Sequence, residues 1–175
     1  MNSAEGLTTV RAGDLVLAHG KGIISSAIRF GQWLRPSWRP YRYWNHAAIV
    51  VAELDGVVKC VQMARRCEIV DLADVSPGGR TEIRSIPAGV DRIKAVDWAL
   101  SQARAGRRYS IITILSIVVQ LVTPKRLDVT FHEATPSYIC SGLVALAWQH
   151  GGWMIPGDED PYQVTPAELA MWTTI

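Results

Sequence analysis

In the stretch Ser137-Tyr-Ile-Cys-Ser-Gly-Leu-Val-Ala-Leu-Ala-Trp148, Cys140 stands at the entrance of an apolar run. Residues Ser141 to His150 favour or tolerate helix, Gly151-Gly152 stop it, and Pro136 and Ser137 mark a turn before it. A thiol in a helix's first turn faces unpaired backbone N–H groups and the positive end of the helix dipole. Both stabilise thiolate over thiol and can bring the pKa below about 8.5. That is one way to make a nucleophile; the plainer reading is a small buried hydrophobe, as most free cysteines are. A general base decides between them.

The candidate base is His46, which opens the β-branched run Asn45-His46-Ala-Ala-Ile-Val-Val-Ala-Glu53, a pattern that predicts a central strand. Asp55-Gly56 is a hairpin turn signal, and Val57 to Ala64 reads as the returning strand. A hairpin folded there brings the far end of the second strand beside the start of the first, and so Gln62 or a close neighbour beside His46. Gln62 then either orients the imidazole through a hydrogen bond or faces solvent. His132 is a competing base in a polar loop. His19 reads as a polar residue at a strand exit. His150 sits at the far end of the Cys140 helix, ~15 Å away at 1.5 Å per residue, too far to serve the thiol. Ser137 and Ser141 are further nucleophile candidates without an advantage over Cys140. No His or Cys pair has the spacing of a structural zinc site, and no metal or cofactor is expected.

These side chains must be positioned by elements that the pattern also suggests. Arg11 to His19 reads as a turn and short strand, and Ile23 to Leu34 as an apolar-periodic helix after Gly20 and Gly22. Between Arg35 and Trp44, two prolines forbid a regular helix and arginines alternate with aromatic rings. That loop suits the lining of a substrate cleft; the other readings are rings and guanidiniums stacked on one another, or a single-strand nucleic-acid platform. Strands are expected over Glu68–Val75 and Thr81–Ile86 around Pro77-Gly-Gly79. A helix is expected over Asp91–Ala105 with Ile93, Val96, Ala99, Leu100 and Ala103 on one face and Gly106 closing it. The apolar run Ile111–Val122 predicts a buried helix and is too short to span a bilayer. Near the end, Thr165, Pro166 and Glu168 spell a capping box for a short helix.

Length and composition, 175 residues with 49% hydrophobic content, suit one domain spanning 1–175 with a real core. A net charge of +2 gives no overall field for nucleic acid. Three cysteines do not make a disulfide framework; Cys60 and Cys67 are left either paired or free, and a reducing compartment is the simpler expectation. The first residues show no signal-peptide pattern, so cytoplasmic synthesis is expected.

The order of several short motifs resembles a family. Gly13-Asp14-Leu-Val, Trp44-Asn45-His46-Ala-Ala-Ile-Val, Gln62-Met-Ala64, Gly106-Arg-Arg-Tyr109, Tyr138-Ile-Cys140-Ser-Gly-Leu-Val and Val164-Thr-Pro-Ala-Glu-Leu169 are similar to the circularly permuted papain-like hydrolases of the YaeF/YiiX type. These are relatives of the NlpC cell-wall peptidases and of lecithin–retinol acyltransferase. The resemblance implies an α+β fold in which an antiparallel sheet packs on helices and the nucleophile helix follows the histidine strand in sequence. It implies Cys140 as nucleophile, His46 as general base and Gln62 as the third polar residue, with Trp44, Asn45, Tyr109 and Tyr138 at the substrate. Gln62 departs from the acidic residue of many members: an amide orients the ring but cannot stabilise imidazolium by charge. The expectation is a cysteine hydrolase, an amidase or peptidase acting on a cell-wall peptide through a thioester, of bacterial or phage origin. The alternatives are a lipid-active thiol acyltransferase or esterase, and a binding module that kept the fold without turnover, for which Gln62 is the best argument. The expected partner is a peptide or lipid-like acyl substrate, with neither nucleic acid nor a transmembrane segment; oligomeric state is left open.

Overall fold

The computed structural model describes residues 9–21, 23–106, 139–158 and 160–174. Five strands form one antiparallel sheet: β1 (Leu15–His19), β2 (His46–Leu54), β3 (Val57–Met63), β4 (Cys67–Asp71) and β5 (Arg80–Arg84), in the order β4-β3-β2-β1-β5. The chain is therefore α+β, and the strand carrying His46 is central.

The β2–β3 turn forms because Asp55 and Gly56 both adopt positive φ, 53° and 76°, which matches the twist of a tight hairpin. Leu54 pairs with Val57, but beyond the turn the register slips: Ala52 faces Lys59 whereas Val50 faces Cys60, leaving Val51 as an extra residue on β2. An uninterrupted ladder would set Gln62 opposite Ile49. With the bulge it lies opposite Ala48, on the side of the ribbon that His46 shares, because side chains alternate along a strand.

Four helices complete the described fold: α1 (Ile23–Leu34), α2 (Arg92–Arg104), α3 (Cys140–His150) and α4 (Pro166–Trp172). Helix α3 is buried from Cys140 through Trp148, as expected of a helix apolar all round. It joins the core with Leu15, Leu17, Ala47, Ile49, Val61 and Met63 of the sheet and Ala95, Val96 and Ala99 of α2. Ile93 was expected on that face but is 74% exposed; two residues from Ala95 at about 100° each, it points away from the buried side. Val16, Ala18, Ala48, Val50 and Cys60 form a second cluster with Val75. The strand expected over Glu68–Val75 ends at Asp71, where a 3-10 turn over Leu72–Asp74 takes over. Between α1 and β2 the two prolines are accommodated in a 3-10 turn, Pro36–Tyr41, rather than a loop without regular structure.

Buried polar groups tie these layers together. Asp14 is 2% exposed; it accepts from the N–H groups of Arg11 and Ile86 and pairs with Arg92 at 2.8 Å, joining β1 to the exit of β5 and to α2. The Trp148 ring N–H donates to the Gly13 carbonyl at 3.0 Å and fixes α3 on that corner. The buried Gln32 of α1 donates to the Trp44 carbonyl at 2.9 Å and accepts from Ala167 N–H at 3.1 Å, linking α1, the loop before β2 and the start of α4. Helix α4 begins with the capping box read from the sequence: Thr165 Oγ1 accepts from Glu168 N–H, and the Glu168 carboxylate accepts from Thr165 N–H at 2.8 Å.

Candidate active site

Cys140 is the first residue of α3 and His46 the first of β2, and the two meet at that end of the helix and sheet. The His46 ring and the backbone N–H groups of Ala47 and Ser141 lie close enough to the Cys140 sulfur to stabilise its charge. On its other side, His46 Nε2 lies 2.9 Å from Gln62 Oε1. The amide oxygen is an acceptor, so Nε2 carries the hydrogen, which leaves Nδ1 to take the thiol proton. The diagonal contact follows from the register: His46 is two residues from Ala48, which faces Gln62. Gln62 is 6% exposed and not solvent-facing.

Burial alone would raise the Cys140 pKa. The charge of His46, the hydrogen bond from its ring, and the N–H groups of Ala47 and Ser141 outweigh it and bring the thiol below its ordinary value of 9.0. Burial likewise disfavours charge on His46, yet the thiolate, its hydrogen bond and the bond to Gln62 hold the imidazole above its ordinary 6.5. Both shifts act in the direction of a thiolate beside an imidazolium. The other cysteines behave oppositely. Burial, helped by Asp71 beside Cys60 and Glu68 beside Cys67, pushes both thiols up to about 12. Both are free and belong to different packing clusters, Cys60 to the second and Cys67 to the main core.

Competing readings separate by geometry. Ser141 is fully buried and its hydroxyl donates to the Val164 carbonyl at 2.6 Å, so it is committed to holding α3 against the segment before α4. His19 is engaged at both nitrogens: Nδ1 contacts the Tyr43 carbonyl at 2.7 Å, Nε2 the Arg29 guanidinium at 3.2 Å, and the ring stacks on Tyr43. His150 stacks on Trp98 at the opposite end of α3. Among the expected substrate residues, Trp44 is half-buried and packs against the main core, meeting Tyr43 edge to face. Asn45 is buried, and its amide accepts from Gly20 N–H at 2.9 Å and donates to the Gly20 carbonyl at 3.1 Å. It clamps the exit of β1 to the start of β2, which orients the backbone that carries His46. Tyr109, Tyr138, His132, Ser137 and the Ile111–Val122 run lie outside the described residues.

The N–H of Ser141 is one of the first-turn groups expected to face the thiol, whereas two contributors are not announced by the sequence pattern. The N–H of Ala47 acts through backbone that any residue supplies, so no residue type could announce it. Gly142 could have been noticed as a glycine inside an apolar helix. A Cβ there would come 2.9 Å from the Pro161 carbonyl oxygen, so its absence lets the Pro161–Gln163 turn lie directly on the first turn of α3.

No protein-family model matches this sequence, and no curated protein matches it. Among the described residues no group of three or more His, Cys, Asp or Glu side chains is placed to hold a metal ion, and no helix is long and apolar enough to cross a membrane.

Proposed function

We propose that the protein is a cysteine hydrolase of the permuted papain-like type, an amidase or peptidase that cleaves an amide bond in a cell-wall peptide through a thioester. The observation that carries this reading is the chain Cys140–His46–Gln62, with the thiol pKa lowered and the imidazole pKa raised. In the reaction, the Cys140 thiolate attacks the carbonyl carbon. The Cys140 backbone N–H, which as a first-turn group has no intrahelical acceptor, helps hold the oxyanion. The His46 imidazolium gives its proton to the leaving nitrogen as the C–N bond breaks, leaving an acyl group on sulfur and a free amine. A water molecule then attacks the thioester, His46 takes one of its protons, and the thiolate departs with the carboxylic product released. Gln62 keeps Nε2 protonated throughout and so keeps Nδ1 facing the chemistry.

Incubation with muropeptides and, separately, with phospholipid tests the reading. Expected are a new amine and carboxylate from the muropeptide, an acyl adduct of Cys140 by intact-mass analysis after acid quench, and neither with Cys140→Ala. Products from phospholipid alone would move the assignment to a lipid acyl hydrolase or acyltransferase, the reading that the exposed Phe30 and Trp33 favour. No product and no adduct from either substrate would overturn hydrolysis and leave the binding-module reading.

A further inference from the structure

The segment from Gly20 to Asn45 carries Lys21, Arg29, Arg35, Arg39 and Arg42 and contains no aspartate or glutamate, in a chain whose net charge is only +2. Its large apolar side chains are not all inside. Phe30 is 58% exposed, Trp33 41% and Tyr43 38%. Phe30 and Trp33 lie three apart on α1, so they share one side of the helix, and their rings stack with centroids 6.1 Å apart. The neighbouring Gly31 and Gln32 are buried. The result is exposed ring surface at Phe30 and Trp33 with the Arg39 guanidinium beside it, in a segment whose other charged residues are all basic and which ends at the strand that presents His46.

We propose that this face docks the protein on an anionic phospholipid surface. A lipid interface matches both features at once: aromatic rings settle at the headgroup boundary while guanidiniums keep their charge among the phosphates. A single-stranded nucleic acid needs a run of open ring faces for base stacking, and here Trp33, Trp38 and Tyr43 each have one face covered. The Arg39 guanidinium lies 5.3 Å over the Trp33 ring, Arg35 lies 4.9 Å over Trp38, and His19 stacks on Tyr43 at 4.1 Å. Trp38 is moreover only 7% exposed, packed with Ala167.

Co-sedimentation of the full chain with phosphatidylcholine vesicles, with and without phosphatidylglycerol, tests the proposal independently of turnover. Binding is expected only to the anionic vesicles, unchanged by Cys140→Ala, and weakened as salt near 0.5 M shortens the screening length to roughly 4 Å. Each basic residue at an anionic surface is worth about fivefold in partitioning, so Arg39→Gln with Arg42→Gln weakens binding about 25-fold. Phe30→Ala with Trp33→Ala reduces binding at every salt concentration, and circular dichroism confirms that each variant is folded. Three outcomes overturn the proposal: no binding of the unaltered chain to anionic vesicles, variants that are folded and bind as well as it does, or a single-stranded oligonucleotide that displaces it from vesicles at equal phosphate concentration.

Discussion

Iodoacetamide near pH 6.5 is expected to label Cys140 far ahead of Cys60 and Cys67, and the margin can be worked from the three environments. The strand thiols sit at about 12 and Cys140 below 9.0, a gap of more than about three pKa units. Well below all three values the thiolate fraction changes tenfold per unit, so Cys140 holds a thiolate advantage above ~1,000-fold. Intrinsic nucleophilicity works the other way: with a Brønsted slope of 0.4–0.5, a thiolate three units more basic reacts roughly 15- to 30-fold faster. The net preference is still at least ~30-fold, and it comes from ionisation and not from exposure, since Cys140 is 4% exposed against 0% for Cys60 and 2% for Cys67. His46→Ala removes the charge and the ring hydrogen bond that oppose burial, so the Cys140 pKa rises. Its labelling at pH 6.5 then falls by roughly three- to fourfold for every pKa unit regained. Peptide mapping by mass spectrometry over a labelling time course gives the three rates separately. Equal rates for the three cysteines, or an unchanged pH–rate profile in the folded His46→Ala protein, would refute the thiolate–imidazolium pair.

Turnover should follow a bell against pH. The acid limb comes from Cys140 ionising below the ordinary thiol range, and the alkaline limb from His46 losing its proton above the ordinary imidazole value. Gln62→Ala removes a bond that favours imidazolium, so the alkaline limb moves to lower pH and kcat falls about tenfold. Gln62→Glu places a carboxylate at that position and moves the limb to higher pH. Because Cys60 and Cys67 have native pKa values of about 12, raised above the ordinary 9.0, the unfolded chain holds fewer protons than the native one above pH 9, and stability falls as pH rises. Urea denaturation at pH 10.5 should show the Cys60→Ala/Cys67→Ala protein losing ~3–4 kcal/mol less than the unaltered chain does between pH 8 and 10.5. Asp14→Ala takes the acceptor from the buried Ile86 N–H and the part-buried Arg11 N–H and leaves Arg92 with the Ala12 carbonyl, costing ~2–4 kcal/mol in the same assay, whereas a cost under ~1 kcal/mol would show that the corner is not held by this carboxylate.

Much of this arrangement is written locally. The hairpin is legible because Asp55-Gly56 tolerates positive φ, the α4 start because Thr165 and Glu168 satisfy each other's backbone, and α1 because its ends and apolar period agree. These are short-range effects, and a sequence displays them directly. Ile93 misled because a helix with modest apolar contrast has more than one plausible inner face, and only the packing of α2 against α3 chooses.

The amino-acid sequence by itself determined that a cysteine opens an apolar helix, that a histidine opens a buried strand, and that a turn returns a glutamine towards that histidine. Tertiary structure decided whether they meet. The Val51 bulge changes the parity of the β2–β3 ladder and sets Gln62 on the side of His46; without it the amide would face the other way. The packing of α3 then brings Cys140 to the imidazole and to the N–H groups of Ala47 and Ser141. The physical reason is that residue types carry a reactive group's ordinary pKa, while its charge in the folded chain depends on burial and on partners distant in sequence.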